Sequence, residues 1–270
     1  MANNYLNLIE NNHSSIYEAN GNNKPWVSYN KENKNVYYNH SPEYVEIGGI
    51  KWATKCIGAS SPYSYDAWLF QWGDMSDHSK DSGNTTSYAY NWANTPYNGG
   101  NSSYNESVWT TMSGNVLDTN SRLKYEYDPA SQLRKTTPLE GYHWRMPTHE
   151  EMTILMNYKL TLSDTTVKGC DGSEIILNSS PGLGEINSVN GMCYGKTTES
   201  VTDVLFLPFR GHGYWYEIAN YGTRFSTWCS DIYTASPSQA YHFNCTASFQ
   251  GVGPQERYYG LSILPVLTKD

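Results

Sequence analysis

The residues of this chain that could do chemistry stand in patterns that each fall short of a known device. His149-Glu150-Glu151-Met152-Thr153 begins like the H-E-x-x-H helix of zinc peptidases, but Thr153 stands where the second imidazole is needed. One imidazole cannot replace two facing ligands a helical turn apart, so that chemistry is excluded. Gly211-His212-Gly213 would open a dinucleotide loop only with a third glycine where Tyr216 stands, and close backbone approach to a pyrophosphate needs that glycine. No phosphate-cradling G-x-x-x-x-G-K-[ST] loop and no G-x-S-x-G elbow is present. Asp74, Asp77, His78 and Asp81 crowd one stretch but lack the alternating Asp/Asn-Gly order of a calcium loop, so a solvated loop is expected. His143, His212 and His242 are isolated and read as ring-packing or surface residues. Five cysteines, Cys56, Cys170, Cys193, Cys229 and Cys245, include no C-x-x-C pair. An odd number leaves at least one thiol unpaired, and a Cys229–Cys245 bridge stays open as an alternative that spacing alone does not support. The expectation is no catalytic residue, no metal site and no cofactor.

Bulk composition points instead to recognition. Charged residues make up 16% of the 270, against 14% aromatic, with 24 Tyr and 9 Trp. That is not a disordered composition, which is poor in aromatics. It matches adaptable binding surfaces, where Tyr and Trp supply rigid amphipathic area and Ser, Gly and Asn supply hydrogen bonds. A loop-rich β protein would share these numbers. A net charge of -8 opposes a phosphate-backbone partner. No apolar run is long enough to cross a membrane, and the start "MANNYLNLIENNHSS" lacks a basic and then apolar leader. The expected setting is therefore a cytoplasm, a particle that leaves it, or a surface reached with a leader removed.

The elements that must position any site follow from periodicity. Val27/Tyr29 and Val36/Tyr38 alternate around "NKENK", which predicts a β-hairpin in an arm over residues 1–42. A lone hairpin is marginal, so the arm needs a partner: the main domain, another subunit or a larger assembly. The main domain spans 43–270 and opens with a strand pair in "EYVEIGGIKWATKCIG". Residues 74–140, polar and without clear period, read as surface loops. Thr148-x-x-Glu151 is a capping box, and Met152, Leu155 and Met156 recur on one face, predicting a helix from His149 to about Tyr158. Further strands are expected in "EIIL", "VLFLPFRG", "STWCS", "AYHFNC" and "GLSILPVL". The whole reads as α+β, many short antiparallel strands with one or two helices and long surface loops, without a solenoid or propeller repeat.

From Ser226 to Leu267 a strict spine carries miscellaneous filling. The spine is Trp228, Ser230, Ala240, Tyr241, Phe243, Val252, Arg257, Gly260 and Leu261. In "AYHFNCT" side chains alternate, so Phe243, Cys245 and Tyr241 are expected inward and His242, Asn244 and Thr246 outward. Trp228 is read as core and Arg257 as framework. An ordinary amphipathic strand would alternate in the same way.

Six segments in order carry a family likeness: "EYVEIGGIKWATKCIG", "LFQWGD", "HWRMPTHEE", "LFLPFRG", "STWCS" and "RYYGLSILPV". Over residues 43–267 the chain resembles the C-type-lectin fold of the formylglycine-generating-enzyme type. It is most similar there to the variable target proteins of diversity-generating retroelements in gut bacteria and their phages. The resemblance implies a scaffold in which template adenines are replaced at chosen codons near the C-terminus. Randomised Asn codons yield Ser, Thr, Tyr, Cys, Asp, His, Phe, Ile or Ala among others. Tyr233, Ser236, Ser238, His242, Asn244 and Thr246 fall within that set, whereas Gln239 and Glu256 require other codons. Two departures stand out: Leu264 replaces the Arg that commonly precedes the final Pro-Val, and no closely spaced reactive cysteine pair lies near the C-terminus. The calcium-dependent sugar motifs Glu-Pro-Asn and Trp-Asn-Asp are absent too.

The resemblance implies a non-catalytic, hypervariable ligand- or receptor-binding protein, an adhesin or a phage receptor-binding tip. Its variable patch covers about 214–258. The expected ligand-binding residues are Tyr216, Glu217, Arg224, Phe225, Thr227, Asp231, Tyr233, Ser236, Ser238, Gln239, His242, Asn244, Thr246, Phe249, Gln250 and Glu256. Tyr216, Phe225, Tyr233 and Phe249 would be the aromatic anchors. The partner would be a cell-surface protein or a glycan, without nucleic acid or membrane insertion. Display would be multivalent, on a phage virion or a bacterial surface, with the arm serving self-association or attachment to a particle. The alternatives are a structural particle or pilus component, and a formylglycine-generating-type thiol enzyme working through Cys229 or Cys245.

Overall fold

A computed structural model describes residues 27–29, 36–38, 44–75, 85–133, 139, 141–196 and 204–269. The first elements are β1 (Val27–Tyr29), β2 (Val36–Tyr38), β3 (Tyr44–Ile47), β4 (Ile50–Ala53), β5 (Thr85–Tyr90) and helix α1 (Glu106–Val116). After β6 (Tyr142–Arg145) and helix α2 (His149–Met156), a meander runs through β7 (Thr165–Lys168), β8 (Glu174–Leu177), β9 (Leu183–Ile186), β10 (Val189–Tyr194) and β11 (Leu205–Pro208). The last part holds β12 (His212–Ala219), β13 (Arg224–Ile232), β14 (Gln239–Thr246), β15 (Gln250–Glu256) and β16 (Val266–Lys269). This is a mostly-strand α+β protein with several antiparallel sheets, and none of its described helices is long and apolar enough to cross a membrane.

β1 and β2 pair as the alternation predicts, Val27 opposite Tyr38, and β2 lies against the 3-10 segment Pro129–Leu133. β3 and β4 turn about Gly48-Gly49, both in the left-handed region at φ of 64° and 78°. A Cβ on Gly48 would meet Ile154 Cγ2 at 2.6 Å, so glycine lets this turn rest on α2. The sheet order β3-β4-β16-β6 then joins the final strand to the start of the main domain, Val266 opposite Trp52.

Helix α2 begins as predicted. Thr148 Oγ1 accepts from Glu151 N at 3.2 Å and Glu151 Oε2 accepts from Thr148 N at 2.8 Å. The helix ends at Met156, short of Tyr158. The polar stretch before it is not only loops. It contains β5, α1 and 3-10 turns, and it sends Tyr90, Trp109, Val116, Leu123, Ala130 and Leu133 into the core. Helix α1, "ESVWTTMSGNV", buries only Trp109 and Val116 and is capped by Asn105, whose side chain accepts from Val108 N at 3.2 Å. Its apolar positions are too sparse to give a 3.6-residue period, so its stability comes from tertiary packing of Trp109.

The three-stranded sheet β13-β14-β15 separates two cores. Trp228 and Ala240 on one face join Trp72, Trp109 and Trp144. Phe225, Cys229, Phe243 and Cys245 on the other join Met152, Leu155 and Val266. Trp228 is fully buried, as expected, and its indole donates to Phe70 O at 2.7 Å. Arg257, just past β15, is wholly enclosed: its Cζ lies 4.0 Å from the Trp109 ring centroid, 5.7 Å from Tyr104 and 5.9 Å from Trp72 and Trp92. None of its guanidinium nitrogens has a hydrogen-bond partner. Burial lowers its pKa to about 10, so it stays charged at neutral pH and is held by ring faces.

Candidate binding face

Strand register defines the face. Arg224 stands opposite Thr246, Ser226 opposite Asn244 and Trp228 opposite His242, while Asn244 and His242 stand opposite Gly251 and Gly253. Arg224, Thr246, Asn244 and His242 therefore share one side of the sheet, with side-chain-free backbone beside them on β15. Phe243 and Cys245 are fully buried on the other side, as the alternation predicts, and Tyr241 is half-buried there, stacked on His149 at 4.3 Å. The ring of Phe249 covers Gly251, where a Cβ would meet it at 2.7 Å, and Phe249 is 55% exposed. A Cβ on Gly253 would meet nothing within 4 Å, so the surface above it is open.

Hydrogen bonds assign the His242 tautomer. Asn244 Nδ2 lies 3.0 Å from Nε2, and an amide nitrogen can only donate, so Nε2 accepts. Nδ1 then carries the proton and donates to Gly253 O at 2.9 Å. Burial, with Arg224 as a further cause, lowers the His242 pKa to about 4. His212 is lowered to about 4 by burial, then Arg224, then His242. Both imidazoles are neutral at physiological pH.

Beyond His212 the face continues as an aromatic ladder absent from the expected site. His212 lies 5.5 Å from Tyr259, which stacks on Tyr214 at 5.2 Å and on Tyr258 at 4.6 Å, and Trp92 lies 5.3 Å from Tyr258. Tyr90 sits behind it, its ring held between Gly213 and Gly260, where any Cβ would clash at 2.3 and 2.2 Å. Next to the ladder, β12 is irregular. Trp215 has φ of 50° and the pairing with β5 shifts register after it, leaving Trp215 50% exposed, Tyr216 58% exposed and Glu217 exposed in succession. A strict two-residue period hides Trp215; the bulge turns it outward.

The other expected residues separate by environment. Tyr233, Ser236, Ser238, Gln239 and Glu256 gather where β14 begins and β15 ends, with Ser236 and Ser238 hydroxyls 3.1 Å apart and Gln239 Nε2 donating to Glu256 at 3.0 Å. Four of the sixteen are framework instead. Phe225 is buried and packs on Phe243 at 6.3 Å, so it anchors the core and no ligand. Thr227 is fully buried and its hydroxyl accepts from Leu264 N at 3.0 Å. Leu264 is itself buried in the second core. Asp231 is buried, accepting from His149 N at 2.8 Å and Arg122 Nε at 3.0 Å. Gln250 ties Tyr194 (2.9 Å) to the last turn of α2 through Met156 O (3.1 Å).

His149, Glu150 and Asp231 gather donors within 4.8 Å, a possible metal set, but Arg122 already supplies the positive charge there, 3.0 Å from Asp231 and 3.3 Å from Glu150. Asp77, His78 and Asp81 of the other acidic cluster lie outside the described residues. A cleft of about 410 Å³ opens between β6 and residues 118–126, and its arginines are spent on neighbours, Arg145 on Glu151 and Arg122 on Asp231. None of the five cysteines is in a disulfide, so the Cys229–Cys245 bridge is not formed. Burial pushes Cys245 up to about 12 and Cys229 well above the ordinary thiol range, which leaves no thiolate for nucleophilic chemistry at neutral pH.

No known protein family matches this chain, and no curated protein or solved structure matches it.

Proposed function

We propose that this chain is a non-catalytic, hypervariable ligand- or receptor-binding protein with the C-type-lectin arrangement of the formylglycine-generating-enzyme type, diversified by a retroelement. The observation that carries the reading is the face on β12 to β15. Exposed Trp215, Tyr216 and Phe249 and partly exposed Arg224, Asn244 and Thr246 project from strands whose opposite side chains are locked in core. Such a face can change its outward residues without disturbing the packing beneath, which is what diversification demands. The partner is a cell-surface protein or glycan, met by a phage tail or a bacterial adhesin. Buried, high-pKa thiols speak against the enzyme alternative.

Labelled protein applied to a panel of bacterial strains tests this. Binding to a subset, abolished by combining Tyr216→Ser with Phe249→Ser in a chain that melts normally, is the expected result. Unchanged binding, or none to any strain, favours the structural-component alternative. A near-copy of the coding segment for residues 226–267, beside a reverse-transcriptase gene and differing only at template adenines, would tie the face to a retroelement.

A further inference from the structure

We propose that Asn244 Oδ1 is a pre-oriented acceptor that selects an uncharged hydrogen-bond donor on the ligand, and that His242 is the positioning residue that aims it; this rests on the binding face being the functional one. The orientation starts from the backbone of β15. Gly253 O can only accept, so His242 Nδ1, 2.9 Å away, carries the proton. In the neutral ring Nε2 is then an acceptor. The amide facing it at 3.0 Å must present Nδ2 and turn Oδ1 away. Asn244 Oδ1 has no hydrogen-bond partner among the described residues and is not enclosed, unlike Asn178 Oδ1, which is buried without one. A ligand donor can meet an acceptor held in this way without the entropy cost of first ordering the side chain.

Space and charge define that donor. Asn244 stands between Ser226 on β13 and Gly251 on β15, two of the smallest residues. The ring of Phe249 lies where a Gly251 side chain would be, so a carbon face that is 55% exposed adjoins the acceptor. Among the described residues, Arg224 from β13 and His212 from β12 are the charged or titratable groups that act on His242, and the Arg224 charge opposes a cationic donor there. A sugar hydroxyl and a peptide amide both supply an uncharged donor next to carbon. The relay also couples two outward positions: a change at 242 alters what 244 presents, so the two cannot vary independently.

Two measurements test this. In NMR of the isotope-labelled whole chain at neutral pH, the imidazole nitrogen shifts of His242 should show the Nδ1–H tautomer, with a coupling across the hydrogen bond from Nε2 to Asn244 Nδ2. An Nε2–H tautomer or a protonated ring reverses the amide and overturns the proposal. In Asn244→Asp a carboxylate replaces the amide donor, so Nε2 favours a proton and the His242 pKa should climb by more than about one unit; an unchanged value overturns the relay.

The second measurement is binding to the bacterial strain that the labelled protein recognises, with each variant first shown to melt normally. Asn244→Leu keeps the size, loses the acceptor and should weaken binding about tenfold. His242→Phe frees the amide and should weaken it about threefold, whereas Asn244→Asp, still an acceptor, should lose less than Asn244→Leu. Undiminished binding in Asn244→Leu overturns the acceptor, and undiminished binding in His242→Phe overturns the positioning role. With the Asn244→Leu loss in place, sensitivity of the cells to periodate makes the donor a sugar hydroxyl, and sensitivity to protease makes it an amide of a surface protein. Loss of binding in the combined Tyr216/Phe249 variant with none in Asn244→Leu removes the acceptor alone. Persistence of binding in that combined variant, or binding to no strain, removes the binding face and the acceptor with it.

Discussion

Arg257 and Arg224 stand at opposite ends of the same three-stranded sheet, and neither has an acidic partner among the described residues. Arg257 is enclosed by Trp72, Trp92, Tyr104 and Trp109, so its charge is met by ring faces and nothing from outside can reach it. Arg224 lies at the edge beside Thr246 and Asn244, partly exposed, with an unpartnered Nε. The same side chain is framework at one end and a candidate contact at the other. Enclosure by neighbours decides which, not residue type.

That contrast can be broken most sharply by truncation. Arg257→Ala empties the centre of an aromatic cage, and a loss of about 3–5 kcal/mol, as for large core truncations, is expected in urea unfolding. Arg224→Ala should cost under about 1 kcal/mol, as at a surface position. Equal losses would erase the distinction.

A pH series sharpens it next. His212 and His242 have folded pKa values near 4, below the ordinary 6.5, so the unfolded chain takes up protons first as pH falls. Their contribution is complete above pH 6.5 and is lost on the way down through 4, by up to about 3 kcal/mol for each histidine. Asp128, raised by burial to about 6, binds its proton more readily in the fold and opposes this loss below that pH. Unfolding midpoints of wild type and a His212→Gln/His242→Gln variant check the sign: the variant should show the flatter acid limb.

For the exposed aromatics, Tyr216→Ser and Phe249→Ser should each weaken cell binding roughly tenfold or more, as truncated anchors do, while shifting stability by less than about 0.5 kcal/mol. The smallest effect concerns the thiols. Native protein should react quickly with a thiol reagent only at half-exposed Cys170, since Cys56, Cys193, Cys229 and Cys245 are buried; denatured protein should react at all five.

Much of this was legible in the chain where one element carries its own period or cap. Thr148 and Glu151 start α2, the Gly48-Gly49 pair turns β3 into β4, and the alternation of β14 places Phe243 and Cys245 inside. Phe225 and Thr227 are framework rather than contacts because β13 is buried on both faces, where alternation carries no information about exposure. Asp231 and Gln250 are polar in sequence but are consumed by Arg122, His149, Tyr194 and Met156.

What the amino-acid sequence determined by itself is the strand-rich α+β character, the helix start, the absence of standard catalytic motifs and the inward or outward sense of β14. These rest on interactions between residues a few positions apart. Only the tertiary structure decided that α1 forms around Trp109, that a β12 bulge exposes Trp215, that Tyr214, Tyr258 and Tyr259 stack beside His212, and that two unpaired arginines have opposite fates. Each of these depends on groups brought together from distant parts of the chain. Burial and partner choice are properties of that assembly, which no local pattern records.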